Sequence, residues 1–167
     1  SNTYAALQNA KITVQISTKL NRSHVVHGQS AYILPCLGRT EADWQDSGWQ
    51  SITTEDSMSR VMLSRGRNTP ASDQLWSEPA IVAGLAQASL QSQPVDWAHV
   101  VADYDRIREL IAQTIIGFDD FNQRVRAERG FYLGNAAREH VWHTSTAKAQ
   151  FIAPSQPIHT PLAADLW

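Results

Sequence analysis

Two short runs of residues near the start of the chain have the patterns of β-strands. Residues 11–17 (KITVQIS) place an apolar side chain at every second position, which predicts a β-strand. Residues 31–34 (AYIL) form a second apolar run that is stopped by Pro35 and also predicts a strand. About a dozen residues separate the runs, a length typical of a parallel crossover, although no clear helical pattern fills it. A short helix is predicted before them, over residues 3–10.

The second half of the chain changes to a helical period. Ser77 suits the cap position of a helix, Glu78 and Pro79 suit its first turn, and apolar residues then recur at helical spacing. A second helix is predicted to begin at Pro94 and Asp96, and its apolar stripe continues over residues 97–111. A third helix is predicted over residues 118–129 and is ended by Gly130. An extended segment is predicted over 131–133 and a strand over 148–152.

Residues 38–67 show no helical period and contain two Trp and two Met among many small polar residues. Short strands are predicted at 51–54 and 60–63. The chain therefore divides into a strand-containing part (1–36), an irregular excursion with short strands (37–75), a mainly helical segment (76–153) and an exposed tail (154–167). The fold class is mixed α/β, or α+β as an isolated fragment. Short strands are followed by three or four helices, with a partial Rossmann-like layer.

Composition narrows the functional classes. The 167 residues are 43% hydrophobic and 18% charged with a formal net charge of −2, so neither a nucleic acid nor an anionic membrane is an expected partner. A single cysteine, Cys36, excludes an internal disulfide and a four-cysteine metal site within this chain. No apolar stretch is long enough for membrane insertion, and the expected location is the cytoplasm. The sequence opens on Ser-Asn and then a helical pattern, so we expect a piece of a larger protein.

Few motifs point to catalysis by this chain alone. His24 and His27, and likewise His140 and His143, have the spacing H-x-x-H, which on a helix brings two imidazoles together. No H-E-x-x-H frame accompanies them, so a small metallohydrolase is the least favoured hypothesis. The P-loop, the G-x-G-x-x-G fingerprint and the G-x-S-x-G elbow are absent from the sequence. Cys36 is interpreted as a buried small hydrophobe. We therefore predict no catalytic residues and no metal ligands.

Two pairs of neighbouring polar residues each have both a structural and a functional interpretation. Ser17 and Thr18 end the first strand, where open α/β sheets bind ligands, but a plain strand-to-loop cap is equally expected. Ser77 and Glu78 open a helix, where a carboxylate is stabilised by the helix dipole. The same carboxylate has the geometry to accept hydrogen bonds from a guanine edge.

Several phrases resemble one enzyme family. Residues 34–43 (LPCLGRTEAD), 54–59 (TEDSMS), 77–86 (SEPAIVAGLA) and 14–22 (VQISTKLNR) resemble, in order, segments of bacterial molybdopterin oxidoreductases of the formate dehydrogenase alpha-subunit type. The resemblance covers about residues 12–154. One departure is Ala147, where the family usually has glycine in what looks like a tight turn.

The resemblance implies a cofactor and its contacts. The parent would bind molybdenum through molybdopterin guanine dinucleotide and carry a 4Fe–4S cluster. Residues 1–36 would be the end of its cofactor-binding α/β domain, and the chain would stop before the C-terminal barrel. Ser17 and Thr18 match positions that meet the dinucleotide, and Glu78 matches a carboxylate that reads guanine. Glu41 and Ala42 fall where the family places a polar contact, often a Lys. Ala42 cannot supply that charge, so Glu41 is the cofactor contact expected here. The metal ligand, the cluster cysteines and the substrate-binding His and Arg have no counterpart here.

The leading hypothesis is therefore a fragment of a molybdenum-dependent oxidoreductase that contributes part of the dinucleotide site. The fragment is expected to be inactive alone, to hold no cofactor by itself, and to have the remaining domains of its parent as partners. The alternative is a free-standing protein-interaction module derived from the same family, which would capture a partner through Trp44 and Trp49.

Overall fold

The computed structural model describes residues 2–92 and 94–153 and divides into two units, Ser1–Leu133 and Gly134–Trp167. Within the described residues it contains six α-helices and seven short strands in three small sheets. The mixed α/β fold class with short strands is thus confirmed. No helix in this described part is both long enough and apolar enough to cross a membrane.

The first sheet is a parallel pair, as the two predicted strands and the length of their connection indicate. Helix α1 (Asn2–Gln8) precedes β1 (Ile12–Ser17), which pairs in parallel with β2 (Ser30–Pro35). The crossover contains only a 3₁₀ turn (Arg22–Val25). The backbone N–H of Cys36 continues the pairing by donating to the Ser17 carbonyl at 3.3 Å, so both strands end side by side.

The excursion after β2 contains two antiparallel sheets. The first is a hairpin of β3 (Trp44–Gln45) and β4 (Gly48–Trp49). The second has the order β5 (Ile52–Glu55), β6 (Arg60–Ser64), β7 (Phe131–Tyr132). The strands predicted at 51–54 and 60–63 and the extended segment at 131–133 are confirmed.

A cluster of apolar side chains joins this sheet to the helices. Val61 on β6 packs with Phe121 and Val125 of α5 (Phe121–Val125) and with Phe131 on β7. The rings of Phe121 and Phe131 meet edge-on with centroids 5.6 Å apart. Edge-on aromatic contacts add to the burial of apolar area, so this cluster is the main stabilising core of the first unit.

Gly130 allows the chain to return to β7 beside this core. Its φ is +64°, and a Cβ at this position would lie 1.9 Å from the Val61 carbonyl oxygen. Only glycine tolerates both conditions, so Gly130 lets the chain turn into β7. Gly130 does not end the helix as predicted, because α5 already ends at Val125.

Helix α2 (Glu78–Ser89) confirms the helix predicted after Ser77, whose side-chain oxygen accepts the Ala80 N–H at 3.4 Å. The continuous helix predicted over residues 97–111 is wrong. The structure has α3 (Trp97–Val101) and α4 (Tyr104–Thr114), because Asp103 is extended (φ −151°) and its carboxylate caps the Asp105 N–H at 3.0 Å. A short polar side chain that bonds to nearby backbone competes with the helix in this way.

The helix predicted over residues 118–129 is also too long. Only Phe121–Val125 is helical, because Asp120 adopts a left-handed conformation (φ +52°) and Arg126 caps the carboxyl end. A left-handed residue is incompatible with the interior of a right-handed helix.

Salt bridges connect α4 to α5. The Arg108 side chain is buried, and its guanidinium donates to the Ser51 carbonyl (2.9 Å), to the Asn122 side chain (2.8 Å) and to Asp105. The carboxylate of Asp105 also accepts from Arg126. Burial alone would raise the pKa of Asp105, but the hydrogen bonds from Arg126 and Arg108 outweigh it, so the pKa lies below its ordinary 3.8.

We expect this network to make stability sensitive to acid. Because the folded-state pKa of Asp105 is lowered, its contribution is complete above 3.8 and is lost as the pH falls through the lowered pKa. The carboxylate is partly exposed, so the contribution is about 1 kcal/mol or less. Urea unfolding at a series of pH values should show a shallower acid-side loss for Asp105→Asn than for Asp119→Asn, a substitution of an exposed carboxylate outside the network. Equal losses for both variants would contradict the assignment.

The second unit is described over residues 134–153. Its helix α6 (Ala136–Glu139) is capped by Asn135, whose side chain accepts the Arg138 N–H at 3.0 Å. The strand predicted over 148–152 is wrong. The Thr144 hydroxyl donates to the Lys148 carbonyl (2.8 Å) and accepts the Lys148 N–H (3.2 Å), which closes a turn instead. The exposed tail predicted for 154–167 lies outside the described residues.

Ala147 lies inside this turn with φ +52°. A left-handed conformation costs an L-residue with a Cβ roughly 1–2 kcal/mol, and glycine avoids that cost. Ala147→Gly should therefore stabilise the turn by about 1 kcal/mol, measured by hydrogen exchange of the Lys148 amide. Ala149→Gly, at a position without positive φ, should have the opposite sign. Slower exchange in both variants, or in neither, would contradict this explanation.

Candidate cofactor-binding cavity

A cavity of about 440 Å³ opens beyond the carboxyl ends of β1 and β2. It is bounded by the end of β1, the loop after β2 and the first turn of α2. All four residues that the sequence predicts as cofactor contacts line it: Ser17, Thr18, Glu41 and Glu78. The carboxyl ends of parallel strands are where open α/β sheets bind ligands.

The two residues at the end of β1 differ in how they are engaged. The Ser17 hydroxyl donates to the Lys19 carbonyl at 2.7 Å, so Ser17 also caps the end of the strand. Thr18 is exposed, and within the described residues its hydroxyl has no hydrogen-bond partner. The strand-cap interpretation therefore holds for Ser17, while the Thr18 hydroxyl is available to a ligand.

Glu78 is the first residue of α2, and its side chain is exposed. The side chain of Ser77, not that of Glu78, caps the helix. No other described residue makes a hydrogen bond or salt bridge to the Glu78 carboxylate. The carboxylate can therefore accept two hydrogen bonds from a ligand at a place where the helix dipole favours its charge.

Glu41 fixes the wall of the cavity. One carboxylate oxygen accepts the Gly38 N–H at 2.6 Å and the other accepts the Ala71 N–H at 2.8 Å. The backbone of Glu41 also lies against Gly66, where a Cβ would come within 2.0 Å of the Glu41 carbonyl oxygen. These contacts hold two loops together and engage both carboxylate oxygens of Glu41.

A buried polar network supports the floor of the cavity. Tyr104 is 2% exposed, and its hydroxyl donates to Asp43 at 2.5 Å. The Tyr104 hydroxyl has one proton, which it donates to Asp43. The Ser77 hydroxyl, 2.6 Å away, therefore donates its own proton to the Tyr104 oxygen. The Tyr104 backbone N–H donates to Gln50 at 2.9 Å. Burial and the Asp43 carboxylate raise the pKa of Tyr104, so the phenol stays protonated and orients Ser77 at the start of α2.

Cys36 lies at the back of the cavity and is buried, as expected for a small hydrophobe. Burial, and then the charges of Glu78 and Glu41, raise the pKa of its thiol. A thiol with a raised pKa carries little thiolate at neutral pH and is a poor nucleophile.

The histidine spacings do not produce a metal cluster in the described residues, where no group of three or more potential ligands occurs. His24 is buried, and its Nδ1 accepts the Asn21 backbone N–H at 3.0 Å, which forms a capping box with the Asn21 side chain. His140 is left-handed and caps α6. Both residues have local structural roles.

Comparisons with known proteins find relatives that match most of this chain. The chain is 47% identical over 158 residues to the protein YdeP of Escherichia coli strain K12. It is 48% identical over 162 residues to a Mycobacterium tuberculosis protein named as an uncharacterized oxidoreductase. Each alignment covers 95% of this chain and 21% of the relative. The chain is similar to bacterial proteins of which some are named as oxidoreductases.

The chain thus spans about a fifth of the length of these curated relatives. The names of these relatives specify neither a cofactor nor a substrate. No protein-family model matches the chain, and no solved structure matches it.

The polar lining residues Arg39, Asp43 and Gln50 are among those that the sequence-based site did not include. Arg39 is an exposed cation directly after a glycine beyond the end of β2, and that position was a usable signal for an anion contact. Asp43 and Gln50 are held at the cavity by hydrogen bonds from Tyr104, which lies more than fifty residues away from each of them in sequence. A contact of that range leaves no local pattern.

Proposed function

We propose that the chain forms part of the molybdopterin guanine dinucleotide site of a molybdenum-dependent oxidoreductase of the formate dehydrogenase alpha-subunit type. The observation that carries the proposal is that Ser17, Thr18, Glu41 and Glu78, which come from three separate parts of the sequence, line one cavity at the strand ends. The names of the mycobacterial relatives support the coarser class, an oxidoreductase.

The donor and acceptor groups of the cavity fit the guanosine end of such a dinucleotide. The free carboxylate of Glu78 matches the adjacent ring N–H and exocyclic amine of guanine, which are both donors. The Thr18 hydroxyl suits a ribose or phosphate oxygen, and the Arg39 guanidinium suits a phosphate. With three carboxylates and one arginine lining the cavity, a base with two donors is favoured over a second phosphate.

The role of these residues is binding and orientation. When bound, the cofactor supplies two-electron redox chemistry at its molybdenum centre. Glu78 and Thr18 would hold the nucleotide end, Glu41 would fix the wall, and Tyr104 would hold Ser77 at the start of α2. Because Cys36 stays protonated, no lining residue is assigned a reacting role, and we expect the isolated chain to be inactive. The molybdenum ligand, the 4Fe–4S cluster and the substrate residues would belong to the remaining domains of a cytoplasmic enzyme.

Equilibrium dialysis of the 167-residue chain with GMP, IMP and AMP tests this proposal. IMP lacks the exocyclic amine and AMP lacks both donors, so affinity should fall in the order GMP, IMP, AMP. Loss of a bidentate base contact is worth about 1–3 kcal/mol, which is roughly tenfold to a hundredfold between GMP and AMP. Equal affinities for the three nucleotides, or binding of none of them, would overturn the guanine assignment.

A second candidate, the free-standing interaction module, is favoured by one observation. Trp44 remains 65% exposed although its ring stacks on Trp49 with centroids 5.9 Å apart. This function predicts that Trp44→Ala abolishes capture of a partner protein and leaves the GMP affinity unchanged. Loss of GMP affinity in the same variant would count against a separate interaction role.

A further inference from the structure

Trp76 separates two adjoining cavities on a different side of α2. The ring is 59% exposed, and both Trp76 and Gly84 line each cavity. One cavity has a volume of about 410 Å³ and the other about 600 Å³. We call the two cavities together the Trp76 surface.

The smaller cavity is almost entirely apolar. It is lined by Leu34, Pro35, Ile81 and Leu85, with Gln74 as its single polar side chain among the described residues. Leu85 on α2 is partly exposed at its edge. The cavity therefore offers a small apolar recess, with room for one apolar side chain of another polypeptide segment.

The larger cavity is aromatic and acidic. Trp44 and Trp76 line it, with the carboxylates of Asp46 and Asp73. Its third carboxylate, Asp43, is already hydrogen-bonded by Tyr104 and Gln45. No Lys or Arg from the described part of the chain lines this cavity.

Neither Asp46 nor Asp73 forms a salt bridge within the described residues, although Arg106 lines a neighbouring cavity together with Asp46. An indole face and a carboxylate together attract a guanidinium or an ammonium group. The indole acts by cation–π attraction, and the carboxylate acts by ion pairing. Small side chains, including Ala80 and Ala98, form part of the floor and leave room for a long basic side chain.

We infer that the Trp76 surface docks one segment from the rest of a longer polypeptide. This segment places an apolar side chain between Leu34 and Leu85 and an Arg or Lys beside Trp76, Asp46 and Asp73. The charge complementarity selects a basic segment. The source follows from length, because the matched curated relatives are about five times as long as this chain. The inference goes beyond the proposed function, since it does not depend on the occupant of the cofactor cavity.

Photo-cross-linking in the full-length polypeptide tests the inference. Gln74 is exposed at the edge of the apolar cavity, and it is replaced by benzoylphenylalanine. The expected product is an intramolecular cross-link to a segment that carries Arg or Lys. Asp46→Asn combined with Asp73→Asn should lower the yield about threefold or more, since the ion pairs are removed without loss of volume. Glu128→Gln, at an exposed carboxylate away from the surface, should leave the yield unchanged.

Each other outcome overturns the inference. A cross-link only to a separate protein would show that the docked segment does not come from the same polypeptide. A cross-linked segment without Arg or Lys would show that charge complementarity does not select it. Absence of a cross-link shows that nothing covers the surface. Yields that fall equally in the Asp and Glu128 variants show that the two aspartates are not specific. GMP affinity should be unchanged in the Asp46→Asn, Asp73→Asn variant, so failure here is distinguishable from failure of the cofactor proposal.

Discussion

Replacement of Phe121 by alanine is expected to lower the free energy of unfolding by about 3–5 kcal/mol, the usual cost of removing a buried phenylalanine. Phe121 is 2% exposed and contacts both Phe118 and Phe131, with ring centroids 4.8 Å and 5.6 Å away. Removing its ring leaves a cavity between α5 and the sheet that contains Val61. Urea unfolding followed by circular dichroism measures the change.

Phe151→Ala is the matched control, because that ring is 97% exposed and the same atoms are removed. Its effect should stay below about 0.5 kcal/mol. Since a loss of the expected size is a large share of the stability of one domain, Phe121→Leu provides a milder variant that still folds. Similar losses for Phe121→Ala and Phe151→Ala would contradict the position assigned to the core.

Glu78→Gln is expected to lower the affinity of the chain for GMP by about tenfold to a hundredfold and to leave the affinity for AMP unchanged. The carboxylate accepts from two guanine donors, whereas the amide presents one acceptor and one donor, so a donor of the base then faces a donor of the protein. The substitution keeps the volume and leaves the Ser77 cap of α2 in place. Calorimetric titration of both nucleotides measures the selectivity.

Glu55→Gln, at an exposed position at the end of β5, is the control and should change neither affinity. A thermal unfolding midpoint near that of the parent chain should accompany the loss of GMP binding in Glu78→Gln. Unchanged GMP selectivity in Glu78→Gln would show that Glu78 does not contact the base.

The sequence pattern correctly predicted those helices and strands that are specified by residues close together in the sequence. Alternation of side chains identified β1, and a short apolar run stopped by a proline identified β2. A capping serine before an apolar helical run identified α2. The break between α3 and α4 was missed because Asp103 occupies a position that the apolar stripe spans without interruption. The Asp103 carboxylate bonds to nearby backbone and so interrupts the helix at this one residue. A periodic pattern is a property of many residues, so it does not show the effect of a single side chain.

The site could be predicted in part, and mainly through the resemblance of its segments to one family. Composition and spacing alone gave Ser17, Thr18 and Glu78 only alternative interpretations. The contacts that engage Glu41 join it to Gly38 and to Ala71, thirty residues later, so their outcome depends on the folded loops. The Tyr104 hydroxyl lies in an apolar helical stripe, yet its partner Asp43 is sixty-one residues away.

The central claim is that the cavity beyond β1 and β2 binds a guanine nucleotide. The most direct measurement is a GMP titration of the isotopically labelled chain, observed through backbone amide chemical shifts. We predict saturable shifts of Thr18, Leu37 and Glu78, which line the cavity, and none for the amides of Leu110 and Gln113 on α4. Shifts confined to residues outside the cavity, or no saturable shift at the three cavity amides, would contradict the account.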